Sequence, residues 1–464
     1  MARLKIGSFL KELGMLITYC FVINVILGLF YAIANLINGF YLLETGYHFE
    51  YLIGYLIVVF IVVIVSRVIE PYKFTKKADI EFIRNYTKIS ANPNYFAEIG
   101  IYLLSSLCTF MLGLALGPQG PSIYVGMLTA LLFYKFIFKT SKTTEEEQII
   151  LGSSVGYTVA FLNPVAGLCF AMEKSKCKMS IKLVLKLVLA LAITYLFQTI
   201  FRQRILSEYF ITLTGHMNYW LLLAIPVIVF VISIVGILIN TFFSIIRKHI
   251  NYENKIVKLF MSILILIIPI VIKVYQPQIL GSGLLSLKWI FSDLSIATIA
   301  IYGVIRIVFT YFSVETKFSG GVGGSIIIIG AILGRLIAGL FGYFIEMSSN
   351  DIYIITIATM LSFYGMFTKE KYTSISLIFS FGNFVYLIAP CAVGYLTMIG
   401  VHHAHIAIKK RIKNKKLLKH TSNTFFSWYL ILLIYNNIRK RSSYECRLAL
   451  FIFEGGINVR FKTY

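Results

Sequence analysis

Acidic residues are scarce in this chain: 20 Asp and Glu stand against 43 Lys and Arg in 464 residues, a formal net charge of +23. Charged residues of both signs reach only 14%. A soluble domain carries about a quarter, so a water-soluble globular fold is excluded. The six cysteines, at 20, 108, 169, 177, 391 and 446, show no C-x-x-C spacing, and four lie in apolar runs. They read as small core residues, and neither a disulfide framework nor a cysteine metal site is expected. Histidine is equally thin, with His48, His216 and His249 alone in the first 400 residues. A membrane-embedded hydrolase needs a Ser/His or paired-carboxylate constellation, or a metal, inside its spans. No enzyme activity and no cofactor are therefore expected.

What the chain has in quantity is apolar sequence, 58% of all residues. Runs long enough to cross a hydrocarbon core of about 30 Å occur at 16–37, 51–68, 99–116, 181–200, 220–239, 256–274 and 325–344. The expected fold class is an all-α polytopic membrane protein. The first run is too long for a signal-peptide core and lacks a small-residue cleavage site, so it reads as a retained span. Basic residues cluster beside the runs: Arg3, Lys5 and Lys11; Lys73, Lys76 and Lys77; Lys174, Lys176 and Lys178; and the stretch from Lys409 to Lys419. That placement suits the positive-inside rule and anionic lipid headgroups. Nucleic acid is not expected as a partner, because the clusters lack a DNA-binding motif and interleaved stacking aromatics.

Two apolar blocks, 10–245 and 256–401, are separated by the polar segment IRKHINYENK at 246–255, and a basic tail occupies 402–464. Each block has a glycine-rich interruption: LALGPQGPSIYVG at 114–126 in the first, FSGGVGGS at 318–325 in the second. Matching breaks in two halves point to an inverted repeat with its site where broken helices meet. Non-helical backbone at membrane depth survives only where it lines a cavity or is buried in protein. A helix starting after Gly120-Pro121 turns its first N–H groups and the positive end of its dipole into such a cavity, which makes an anion site without a cationic side chain. Pro121 suits the first turn, and the glycines admit an ion to the backbone. Partial charges bind an anion weakly enough to release it.

These residues carry a resemblance. GPQGPSIYVG resembles the CLC chloride channel and transporter signature G-[KR]-E-G-P-x-x-x-x-G, and AFLNPVAGLCFAMEK at 160–174 is similar to the family's A-F-x-x-P-x-[AG]-G-x-x-F-x-x-E-E. GSGLLSL at 281–287, the stretch 306–334 and GNFVYLIAP at 382–390 resemble further family segments, so that the likeness spans about residues 10 to 401. It implies a CLC-like inverted repeat and a homodimer in which each subunit holds its own chloride pathway. It also implies pathway positions at Gly117, Pro118, Gln119, Gly120 and Pro121, and at Gly324, Ser325 and Ile326 in the second half. Nothing in 402–464 resembles the nucleotide-binding CBS modules of many members. The Ile-, Lys- and Asn-rich composition suggests a bacterial inner-membrane protein.

The departures from the family pattern bear on mechanism. Gln119 stands where the family has its gating glutamate, and an amide neither titrates nor carries charge. Lys174 stands at the internal proton-transfer glutamate, with Glu173 matching the residue before it. A lysine holds its proton at neutral pH; it either draws anions toward the cytoplasmic mouth or snorkels to the interface. Loss of both relay carboxylates favours passive conduction over anion/proton exchange. The family's first motif, G-S-G-I-P-E, has its nearest match in FTKKADIE at 74–81, which makes Thr75 either a hydroxyl donor to the anion or a loop residue. The third motif, G-G-x-F-x-P, is reduced to GGSIIIIG, where the Ser325 hydroxyl adds a donor to the helix N-terminus. The inner tyrosine, counted back from Pro390, falls strictly on Val385, and Tyr386 supplies it after a one-residue shift. Arg306 and Glu315 read as structurally paired charges. His402, His403 and His405 lack the further ligands that a metal site needs.

Overall fold

A computed structural model describes residues 2–42, 49–69, 80–81, 83–84, 94–137, 144–175, 179–200, 218–249, 263–264, 267–273, 275, 277–283, 286–292, 294–315, 318–380 and 385–414. Thr75, most of the run at 256–274, the polar break at 250–255 and the tail beyond 414 lie outside them. The elements are helices: α1 (Ala2–Leu42), α2 (Phe49–Ile69), α3 (Tyr95–Met111), α4 (Gln119–Leu132), α5 (Glu145–Phe161), α6 (Pro164–Lys174), α7 (Ile181–Ile200), α8 (Leu221–His249), the short α9 (Ser286–Ile290), α10 (Ile296–Glu315), α11 (Gly323–Phe341), α12 (Ser349–Thr368), the short α13 (Lys371–Ser376) and α14 (Val385–Asn414). Among the described residues, seven helices are long and apolar enough to cross a membrane. The chain is a multi-pass membrane protein.

One of the expected runs ends differently, and two spans lie outside those runs. The run at 99–116 leaves the helix after Met111, where Leu112 closes α3 and Gly113 takes a left-handed φ of 64°. The following residues approach Gln119 without helical hydrogen bonding. Spans at Ile296–Glu315 and Ser349–Thr368 were not among the long apolar runs, because both carry polar side chains that face protein. The two apolar blocks do not form separate bodies. Met1–Leu396 makes one unit that contains both halves, and Thr397–Tyr464 makes a second, described only in the end of α14.

The internal repeat is visible in detail. In the first half, α4 packs on α5, and α5 ends at Leu162 in a left-handed cap (φ 51°) before α6. In the second half, α11 packs on α12, and α12 ends at Lys369 in the same conformation (φ 59°) before α13. Among the described residues these are the two non-glycine positions with positive φ. A side chain in that region costs about 1–2 kcal/mol, so its recurrence at matching places marks an architectural equivalence. The α4/α5 contact is backbone to backbone: a Cβ on Gly126 would lie 2.2 Å from the Gly152 carbonyl oxygen.

Buried Arg306 of α10 holds the irregular segments together. Its guanidinium donates to the carbonyls of Ile279, Gly281 (2.9 Å) and Ser282 (2.7 Å) and to Ser325 Oγ (2.9 Å). Ser325 Oγ donates in turn to the Ala115 carbonyl at 2.6 Å, and the Ala115 N–H reaches Ser313 Oγ at 2.9 Å. Arg306 and Glu315 both have structural partners, each its own and not one another. Glu315 accepts from Arg247 at 2.8 Å, while the buried Arg306 serves backbone carbonyls. Replacing Arg306 by Leu leaves those carbonyls without donors, at about 1–3 kcal/mol each. Thermal unfolding in detergent should show a large drop in midpoint or no folded protein, whereas Arg247→Leu should shift it little, because that pair is partly exposed.

Candidate anion site at the helix crossing

The two glycine-rich interruptions meet. Gly117 N–H donates to the Gly321 carbonyl at 2.6 Å, and Gly321 N–H donates to the Gly117 carbonyl at 2.8 Å. The bridge is antiparallel, so the two breaks pass in opposite directions. Two residues further on in each half a helix begins, α4 at Gln119 and α11 at Gly323. The residues before them, Pro118 and Val322, share nearly the same conformation (φ −74° and −79°), and neither makes a side-chain cap bond. Both helix N-termini therefore present uncapped first turns to one crossing, with their dipoles adding there. The crossing admits no side chain on the bridge, since a Cβ on Gly321 would lie 2.4 Å from the Gly120 nitrogen.

Gln119 and Gly323 are equivalent positions of the two halves, and they face each other. A Cβ on Gly323 would fall 1.5 Å from Gln119 Oε1. The amide of one half thus lies where its counterpart has no side chain. Gln119 is 8% exposed. Its Nε2 donates to Tyr364 Oη at 2.9 Å, and its Oε1 is buried without a hydrogen-bond partner. That oxygen lies over the first turn of α11, where an anion's negative charge would be favoured.

A second pair of equivalents stands behind the first. Tyr157 and Tyr364 each precede a left-handed cap by five residues, and their hydroxyls are 3.1 Å apart. Tyr364 Oη donates to Glu370 Oε2 at 2.8 Å, and Glu370 Oε1 pairs with Lys174 Nζ at 3.2 Å. Glu370 opens α13 as Asn163 opens α6. Burial raises the Glu370 carboxyl above its ordinary range, against the lowering pull of the Lys174 ammonium and the Tyr364 hydroxyl. Next to it, the Glu173 carboxylate accepts the N–H groups of Tyr372 and Thr373 and the Thr373 hydroxyl, filling the N-terminus of α13.

The positions expected from the sequence separate into groups. Gln119, Gly120, Pro121 and Gly324 lie in the two first turns, with Pro118 as the α4 cap. The Gly117 N–H is taken by Gly321, so Gly117 splices the halves and does not donate to an anion. The Ile326 N–H bonds the Val322 carbonyl and is likewise unavailable. The Ser325 hydroxyl hydrogen goes to Ala115, which makes it a structural strut. Lys174 is neither a free attractor nor a snorkelling residue, because a carboxylate matches its charge. Tyr386 is 42% exposed in the first turn of α14; the hydroxyl bonded to Gln119 is that of Tyr364. Thr75 is outside the described residues. Gly323, Tyr157, Tyr364 and Glu370 were missed. Aligning the halves on Tyr157…Leu162-Asn163 and Tyr364…Lys369-Glu370 is the signal that finds them.

Two glycine-broken helices aimed at one buried point, in a repeat this closely matched, agree with the family likeness of the motifs. Residues 57–401 match the family described as Voltage gated chloride channel. The chain belongs to that family. No curated protein matches it in sequence. Among solved structures it is similar to a slow cyanobacterial Cl−/H+ antiporter (16% identity, TM-score 0.73, 83% of this chain and 94% of that one). It is also similar to a CLC-type fluoride/proton antiporter (18%, 0.64, 83% and 95%) and a eukaryotic CLC transporter (13%, 0.62, 84% and 72%). At these identities the likeness shows the fold. Membership in the CLC family makes this an anion-transport protein of the membrane.

The facing of Gln119 and Gly323 can be tested without transport. Gly323→Ala drives a methyl into the Gln119 amide and should cost about 1–3 kcal/mol, the usual range for overpacking. In a Gln119→Ala background the same change should cost little, and a double-mutant cycle on thermal unfolding reads the coupling.

Proposed function

We propose that this protein conducts chloride or a similar small anion passively, without linked proton movement. The observation that carries the reading is the amide of Gln119 at the crossing, where the resemblance puts a gating carboxylate. A carboxylate there competes with the anion as a full charge and carries a proton outward; an amide does neither. Its unpartnered oxygen is a weak surrogate for an anion, so an incoming ion displaces a partial charge. Release is equally easy, because backbone dipoles hold the ion in place of a fixed cation. The hydrogen-bonded row from Glu370 through Tyr364 ends at Gln119, whose nitrogen lone pair is delocalised into the carbonyl and does not take up a proton. Chloride is the proposed substrate, the resemblance supports a homodimer with one pathway per subunit, and no chemistry is performed on the ion.

A coupled exchanger is the second reading. It is favoured by the antiporter activity named for two of the similar structures and by Glu370, a buried carboxylate joined to Gln119 through a single tyrosine. Chloride efflux from proteoliposomes, with valinomycin clamping the voltage and external pH recorded, separates the two. Passive conduction predicts fast efflux with no linked proton flow, and Gln119→Glu should slow it at neutral pH by roughly tenfold, equivalent to ~1.4 kcal/mol. Proton flow in fixed ratio to chloride would establish exchange instead, and silence in both records would contradict both readings.

A further inference from the structure

The hydrogen atoms behind Gln119 all point one way. Tyr364 has one hydroxyl hydrogen, and it goes to Glu370 Oε2. The 3.1 Å contact between the two tyrosines must then be donated by Tyr157, and Gln119 must turn its N–H toward Tyr364, as it does. Lys174 donates to the other carboxylate oxygen. Every donor in the row is drawn toward Glu370, and the one acceptor facing the crossing, Gln119 Oε1, is left without a hydrogen.

Lys174 determines what happens when Glu370 becomes neutral. An ammonium has only donors, so a protonated carboxyl must turn its C=O to Lys174 and its O–H to Tyr364 Oη. Tyr364 then accepts from Glu370 and from Tyr157, which fills both of its lone pairs. The Gln119 N–H loses its acceptor, the amide turns its Oε1 to the freed Tyr364 hydrogen, and its N–H groups face the crossing in place of the oxygen. The other charged or titratable groups around Glu370 do not compete for this exchange. The Glu173 carboxylate is tied to the start of α13, Arg84 donates to the Lys174 carbonyl, Tyr157 already donates to Tyr364, and Lys369 and Lys371 flank Glu370 in its own segment. The Lys174 side chain is 33% exposed against 9% for Glu370, so water reaches the pair from the Lys174 side.

We propose that Glu370 is a proton-responsive positioning residue for the anion pathway. As a carboxylate it takes the Tyr364 hydrogen, so that Gln119 turns its N–H to Tyr364 and its oxygen to the crossing. On taking a proton from water it reverses that row, so that the Gln119 N–H groups turn into the crossing, which then binds an anion more tightly. The proton stays at Glu370 and is not passed across the membrane. The inference rests on reading the crossing as the anion site, but it does not depend on whether transport is coupled.

The test is chloride binding by titration calorimetry on the full chain in detergent between about pH 5 and pH 8, a window that brackets a raised carboxyl, with proteoliposome efflux measured in parallel. For the unmodified protein the affinity should rise roughly tenfold toward the acid end, the worth of one hydrogen bond involving a charged partner. Glu370→Gln should bind at the acid-side strength throughout, because its amide must also turn its oxygen to Lys174 and its N–H to Tyr364. Tyr364→Phe keeps the Lys174–Glu370 pair but has no hydroxyl to pass the change on to Gln119, so its affinity should be flat with pH; it decides the matter if Glu370→Gln does not fold. A pH response that survives either substitution, or an unmodified protein whose binding does not vary with pH, overturns the proposal. Efflux without pH-dependent binding would sink this inference and leave anion conduction standing, whereas absence of both binding and efflux would remove both.

Discussion

Two hydrogen bonds between Gly117 and Gly321 are the constraint on which the rest of the site depends. They join the broken backbone of one half to that of the other. In a membrane an unpaired N–H or C=O costs several kcal/mol, and at this break each half satisfies its counterpart. The pairing also sets geometry. Because the bridge is antiparallel and a helix starts two residues after each glycine, two helix N-termini are brought to one point from opposite directions. The helix dipoles then set a positive potential at the crossing, and the buried guanidinium of Arg306, bonded to Ser325 two residues past Gly323, adds to it. The surrounding carbonyls are held by Arg306.

Symmetry places like residues together, and the departures from it give the site its character. The tyrosines at 157 and 364 remain alike and touch. The pair Gln119 and Gly323 differs completely: one side chain fills the space its partner leaves open. The pair Asn163 and Glu370 differs in charge. Asn163 caps its own helix by accepting the Ala166 N–H, while Glu370 leaves its helix to Glu173 and turns to Tyr364 and Lys174. Lys174, at a position where the resemblance puts a carboxylate, is matched by the Glu370 carboxylate from the other half, so its charge is balanced behind the crossing.

Much of this was legible in the residues. Runs such as 181–200 and 220–239 are apolar on all sides because lipid surrounds much of their surface, and they mark spans directly. The span Ser349–Thr368 escapes that reading: 78% of its apolar window is buried in protein, where Asp351 and its Ser and Thr side chains find partners and the mean hydropathy need only reach 1.3. Gln119 was legible because proline and glycine interrupt an apolar run around it. Tyr364 and Glu370 were not. Thirty tyrosines dilute any one of them, and the contacts that give these two a role come from the opposite half of the chain. Ser325 misled in the other direction, since its position at a helix start suggested an anion donor while its hydroxyl is held by Ala115 and Arg306.

The central claim is that the Gln119 amide occupies the place of the anion between the starts of α4 and α11. Bromide scatters anomalously and substitutes for chloride, so crystals of the unmodified protein and of Gln119→Ala grown in bromide test it directly. The account predicts a bromide peak beside Gly323 in Gln119→Ala, where Oε1 stood, and a weaker peak or none there when the glutamine is present. No peak at the crossing in either protein, or an equally strong one beside an undisplaced Gln119, would contradict it.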